Sequence, residues 1–146
     1  MVLRRGAVAR TYPPVTYAVG REAVREYALV VGERDPLHLD VGAARAAGYA
    51  DVVAPPMFAV VYAEPAVRRA LFDSEVGIDV VRTAHAGQEF AWGPLVVAGD
   101  EVSTGVTVER IEEPGGGGRV VFASVSTNQH GETVSVGTWT YVVRAG

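Results

Sequence analysis

At 146 residues the chain has the length of one domain, within the ~100 to 200 residues that domains commonly hold, with one core and no second lobe. Its 49% apolar and 21% charged residues exclude the composition of a disordered chain. Its 17 acidic against 13 basic residues, net charge -4, argue against a nucleic-acid partner, and the lack of cysteine removes disulfides, thiolate nucleophiles and Cys-ligated metals.

Met1 to Arg10 carries arginines but no apolar segment of signal-peptide length, and the apolar run Phe58 to Ala63 is far short of the ~20 residues that span a bilayer. The expectation is a cytoplasmic protein without a membrane span. In Arg21 to Val31, Val24, Tyr27, Ala28 and Val31 fall at i, i+3, i+4 and i+7, which predicts a helix stopped by Gly32. Val41 to Ala47, rich in alanine and ended by Gly48, predicts a second short helix. Pro55 and Pro56 can start a third, and Met57 to Ala63 is apolar on every side, which predicts a central helix buried all round. Pro65 is expected to kink or end it, with Pro65 to Phe72 forming a separate turn or two.

Strands follow. Glu89 to Trp92 reads as a short one, and Val102 to Ile111 alternates valine and threonine with polar or small residues at the period of a half-buried strand. Val120 to Thr127 and Thr133 to Val143 are rich in strand-forming residues. Gly115 to Gly118 and Asn128 to Gly131 are placed as hairpin turns, so the last three strands form a meander. Gly115 to Gly118 is followed by no Lys-Ser/Thr and precedes no helix, so a phosphate loop is not indicated. His85 and His130 stand apart from other ligand-type residues and read as surface or hydrogen-bonded histidines. Helices first and strands second is the pattern of an α+β domain.

The chemistry-bearing stretch is Gly32 to Asp40, in which Glu33, Asp35, Asp40 and His38 lie close together and Pro36 biases Asp35 to an extended conformation. Such a loop can aim polar groups at one point. It is equally compatible with a solvated loop in which Asp35 caps the following turn and His38 only packs.

At these residues the sequence resembles the MaoC-like (R)-specific enoyl hydratase/dehydratase family, whose signature runs Gly-Asp-x-Asn-Pro-Leu-His, then a helix, then a Gly-aromatic and Pro-rich segment. The matching residues are Gly32 to His38, Gly48-Tyr49 and Ala54-Pro55-Pro56-Met57-Phe58. Glu33 stands where the family has its catalytic Asp, and Asp35 where it has Asn. Glu26-Tyr27-Ala28, the Ala-Pro-Pro-x-Phe segment and Pro94 to Asp100 are similar to the first subunit of mycobacterial-type heterodimeric (3R)-hydroxyacyl-ACP dehydratases and to its actinobacterial relatives. The resemblance runs from about Tyr12 to Arg144.

It implies a hot-dog fold, an antiparallel sheet wrapped around a central helix, paired as a homodimer or with a second MaoC-like chain. It also implies reversible syn addition of water to a trans-2-enoyl thioester of CoA or acyl carrier protein, with no metal or redox cofactor. That reaction needs a base for water and an acid for C2. Glu33 and His38 occupy the family's catalytic places. The developing enolate needs backbone N–H donors, and Met57 to Ala59 at the start of the central helix are the candidates, with Asp35, Pro56 and Phe58 beside the substrate. Phe58, Val61 and Tyr62 are expected along an acyl tunnel, although each suits a plain core equally well. In heterodimeric relatives one subunit supplies the catalytic pair and the other shapes the acyl site, and the resemblance here is to the latter. The alternative to a self-sufficient enzyme is therefore a non-catalytic acyl-binding subunit.

Overall fold

Five antiparallel strands form one sheet in the order β1-β3-β4-β5-β2, in a computed structural model that describes residues 2–113 and 117–146. The strands are β1 (Thr11–Ala18), β2 (Thr83–Trp92), β3 (Glu101–Glu112), β4 (Gly118–Thr127) and β5 (Thr133–Val143). The helices α1 (Arg21–Val30), α2 (Pro36–Leu39), α3 (Val41–Ala46) and α4 (Ala59–Leu71) all fall between β1 and β2 in the chain. Helix α4 packs on β1, β3 and β4, so one sheet wraps one helix in the α+β hot-dog arrangement.

The β3-β4-β5 meander follows the patterning. Val102, Thr104, Val106 and Val108 are buried on β3, alternating with half-buried or exposed partners. In the second hairpin Gly131 takes φ +77°, and the Asn128 Oδ1 accepts from the amides of His130 and Glu132 at 3.0 Å each. The expected turn at Gly115 to Gly118 falls in part on residues 115 and 116, outside the described residues, and Gly118 already begins β4.

Four expectations need correction. Strand β1 lies in a half that reads as helical; Pro13 and Pro14 hide it, and both sit where the pairing with β3 skips from Tyr12 to Val15 on an edge strand, the place where proline is tolerated. The short strand at Glu89 is the end of ten-residue β2, whose first part carries Ala84, Ala86 and Gly87, weak strand formers. Helix α4 runs through Pro65 to Leu71, because its packing on the sheet outweighs the one backbone bond that proline removes. Nor is its start buried all round. Met57 is 41% exposed, and Val60 and Val61 are half-buried, because the sheet covers one side only.

The sheet-facing side of α4 is largely alanine: Ala59, Ala63, Ala66 and Ala70 are buried there with Tyr62 and Val67. Opposite it, the sheet carries buried hydroxyls that are paired. Thr104 and Ser126 hydroxyls lie 2.7 Å apart, Tyr62 donates to Ser135 at 2.8 Å, and Trp139 Nε1 donates to Ser124 at 2.9 Å. Pairing of this kind removes most of the cost of burying a hydroxyl. Gly137 lies among them on β5, where an added Cβ would stand 2.6 Å from Ser124 Oγ and 2.7 Å from a Phe90 ring carbon. Gly137→Ala is expected to lower stability by about 1–3 kcal/mol in a denaturant titration, the usual cost of overpacking.

At the other end, Tyr12 donates to Asp73 Oδ2 at 2.6 Å and Arg10 Nε lies 2.9 Å from the same oxygen. The Tyr12 hydroxyl first, and Arg10 with it, hold the Asp73 carboxyl below the usual carboxylate range. A lowered native value means stabilisation that is present above the ordinary aspartate value of ~3.9 and lost as pH falls through the native one. Asp73→Asn is therefore expected to flatten the acid limb of a stability-against-pH curve while leaving its shape near neutrality unchanged.

Candidate active site

Helix α1 ends at Gly32, which takes φ +80°, a backbone conformation that favours glycine. The Glu33 amide then donates to the Ala28 carbonyl at 2.8 Å. The Glu33 side chain turns back on its own loop, where Oε1 accepts from the amides of Arg34 at 3.1 Å and Asp35 at 3.3 Å. Asp35 is exposed and caps α2, its Oδ1 accepting from Leu37 N at 2.9 Å with Pro36 in the first helical position.

His38 lies in the last turn of α2 and is half-buried. Its Nδ1 is hydrogen-bonded to the Val53 carbonyl. A carbonyl only accepts, so Nδ1 carries the proton and the neutral ring keeps its lone pair on Nε2. The Val53 amide returns a bond to Leu37 O at 2.9 Å, so both polar groups of one residue fasten α2. Upstream, Arg21 grips Asp51 through a two-pronged pair at 3.0 and 2.6 Å. The Arg21 contact is the main reason the Asp51 carboxyl lies below the usual range, and Asp51 also accepts from Val52 N at 2.8 Å. Among the described residues no hydrogen bond or ion pair joins Glu33 to His38.

Immediately after Val53 the chain forms the wall of an apolar cleft of about 360 Å³. Buried Tyr62, Val96 and Val134 lie deep in it, while Pro56, Trp92, Pro94 and Leu95 form an exposed rim. Trp92 Nε1 donates to the Pro56 carbonyl at 3.0 Å, tying the end of β2 to the turn that leads into α4. Pro56–Phe58 is a 3-10 turn. Within it the Phe58 amide donates to Pro55 O at 2.9 Å and the Ala59 amide is used on carbonyls of the same turn. Among the described residues the Met57 amide has no acceptor. Phe58 is 1% exposed and its ring packs edge-on against Tyr17, Tyr27 and Tyr62. Val61 packs against the core outside the cleft lining.

His38 is bonded to Val53 and Tyr62 lines the cleft with Ala54, Pro55 and Pro56, while His38 and Met57 are not among the cleft-lining residues and Glu33 and Asp35 are turned to their own loop. Val53 and Trp92, which bond to His38 and Pro56, are neighbours of the candidate residues that the sequence alone does not single out. A backbone carbonyl leaves no sequence signature; for Trp92, the run Gly93-Pro94-Leu95, apolar and proline-bearing like Ala54-Pro55-Pro56, is the signal that could have paired the two segments.

Residues 7–136 match the family model described as "FAS1-like, dehydratase domain region". The chain is 41% identical over 136 residues to a UPF0336 protein of Leifsonia xyli subsp. xyli, covering 92% of this chain and 91% of that one. Among solved structures it is similar to the C-terminally truncated HadBC (3R-hydroxyacyl-ACP dehydratase) complex of Mycobacterium tuberculosis, with TM-score 0.81, 28% identity and coverage of 93% and 96%. It is also similar to a MaoC-like dehydratase, with TM-score 0.84 and 32% identity, covering 97% of this chain and 43% of the other. Sequence match and hot-dog geometry agree: this chain belongs to the family of FAS1-like dehydratase domain regions, in the MaoC-like group.

Proposed function

We propose that the chain is an (R)-specific hydratase/dehydratase interconverting trans-2-enoyl and (R)-3-hydroxyacyl thioesters of CoA or acyl carrier protein. The observation that carries the reading is His38, fixed through Nδ1 to Val53 O so that the Nε2 lone pair is left free, with the lining of the apolar cleft beginning at the next residue, Ala54. In the hydration direction Nε2 takes a proton from water as its oxygen bonds to C3. The C2–C3 π pair moves onto the thioester carbonyl as an enolate, and the proton is returned to C2 on the same face, which makes the addition syn. The unpartnered Met57 amide is the donor suited to the enolate oxygen, and the cleft between Tyr62 and Leu95 suits an acyl chain. Loss of the enoyl absorbance on incubating crotonyl-CoA or a longer enoyl-CoA with the purified chain tests this directly.

A second reading, a subunit that binds acyl chains and is completed by another MaoC-like chain, is favoured by one observation. The Glu33 carboxylate is occupied by two loop amides and makes no contact with His38. The likeness to a chain of the HadBC complex supports the same reading. Either way a dimer is expected, since among the described residues β2 is hydrogen-bonded to β5 alone and leaves a ten-residue edge open to pairing. Activity that arises only on mixing with a partner carrying Gly-Asp-x-Asn-Pro-x-His decides for the second reading; activity of the chain alone decides for the first.

A further inference from the structure

Asp100 is 9% exposed, and among the described residues it is the one carboxylate buried to that degree. No basic side chain pairs with it there. Its oxygens instead accept two neutral N–H groups, Oδ2 from Val97 N at 3.0 Å and Oδ1 from Gln129 Nε2 at 2.8 Å. A buried carboxylate is tolerated where its oxygens are hydrogen-bonded, and here each oxygen has a donor.

The turn from Val97 to Asp100 is short. The Asp100 amide donates back to Val97 O at 3.1 Å, and Gly99 takes φ +97° inside it. The residues leading into it form a two-stranded patch with residues 52–54, Ala98 N donating to Val52 O at 3.0 Å and Ala54 N to Val96 O at 2.8 Å. In an extended segment successive residues point their polar groups to opposite sides. With Val52 and Ala54 bonded toward residues 96–98, both groups of Val53 face α2, where its N–H meets Leu37 O and its carbonyl meets His38 Nδ1. The carbonyl that selects the imidazole tautomer is therefore set by the register of the patch, and the register is locked by the Asp100 turn.

We propose that Asp100 is a positioning residue that acts through Val97 and Val53 to fix the ring orientation and tautomer of His38. The proposal rests on the reading of His38 as the base. A misplacement of ~1 Å in a catalytic group can cost on the order of 100-fold in rate, even when its cause lies far from the chemistry.

The test is ¹⁵N-edited NMR of the histidine side chains in the full chain, alongside enoyl-CoA kinetics. In the unmodified chain His38 is expected as the Nδ1–H tautomer. Asp100→Ala is expected to give mixed His38 tautomers and to lower kcat by ~10- to 100-fold with KM little changed, while His85, distant in sequence and bonded to Gly87 and Gln88, stays as it was. Asp100→Asn keeps an acceptor for Val97 N and is expected to restore the tautomer. Gln129→Ala, which cuts the other branch, is expected to lower stability alone. Should Asp100→Ala fail to fold, Gly99→Ala perturbs the same turn in open space, since nothing lies within 4 Å of the added Cβ. An unchanged His38 tautomer in whichever of Asp100→Ala and Gly99→Ala folds overturns the proposal. A tautomer that responds in a chain showing no hydration alone or with a partner upholds the positioning role and overturns the proposed reaction instead.

Discussion

Replacing His38 by alanine is expected to lower hydration of crotonyl-CoA by ~10²- to 10⁴-fold, the range that a positioned general base contributes. The effect should fall on kcat, because the cleft lining from Ala54 to Leu95 is untouched and acyl binding with it. His38→Ala also removes the side-chain bond to Val53 but leaves Val53 N on Leu37 O, so α2 stays docked and thermal unfolding should shift little. Glu33 makes the informative comparison. Glutamine there keeps an Oε1 acceptor for the amides of Arg34 and Asp35, so Glu33→Gln separates loop geometry from charge. Loss of rate in Glu33→Gln as large as in His38→Ala would mean that the carboxylate swings toward the substrate when it binds. An unaffected rate would leave His38 to act without it, and equal activity of the His38→Ala chain would falsify the hydratase mechanism.

The second large effect is structural. Phe58→Ala is expected to cost about 3–5 kcal/mol, the usual range for truncating a buried phenylalanine, out of a total that for such domains is commonly ~5–15 kcal/mol. Phe58 is the hub of an aromatic group, with ring centroids 6.2, 5.5 and 6.4 Å from Tyr17, Tyr27 and Tyr62. Those three come from β1, α1 and α4, so one side chain joins three elements. Chemical denaturation reads the cost directly. A loss below ~1 kcal/mol, well under that range, would place Phe58 with the substrate-facing residues, as the sequence alone equally allows.

How far the sequence could be read depended on how each element declares itself. The strands β3 to β5 are legible because valine and threonine recur at a period of two and glycine and asparagine mark the hairpin at Asn128 to Gly131. Strand β1 is not, since Pro13 and Pro14 argue against any strand until an edge position and a skipped register make room for them. Pro65 misleads in the opposite direction, because local propensity carries no knowledge of the sheet against which the helix continues past it. At the site, Gly32, Pro36 and His38 announce a shaped loop. The other groups of the proposed site, the Val53 carbonyl on His38, the Met57 amide and the rim formed by Trp92 and Leu95, arrive from elsewhere in the chain. Backbone groups have no letters of their own, so this half of the site becomes visible only once the fold has assembled it.

The alanine face of α4 bears on how this scaffold could change. Methyl groups have no rotamers to rearrange, and a helix bedded on Ala59, Ala63, Ala66 and Ala70 against a close-packed sheet has almost no compliance: a larger residue at any of them must lift the whole rod rather than find a gap. The deep wall of the cleft, where Tyr62 projects from that rod, is therefore the stiff jaw of a vice. The adjustable jaw is the pair Pro94 and Leu95, which belongs to no strand and stands exposed between Gly93, bonded to Val134, and buried Val96, bonded to Ala54. On the proposed reading, widening or narrowing the opening for a different chain length is a matter of retailoring those two residues, and a library confined to them should alter preference at little cost to folding.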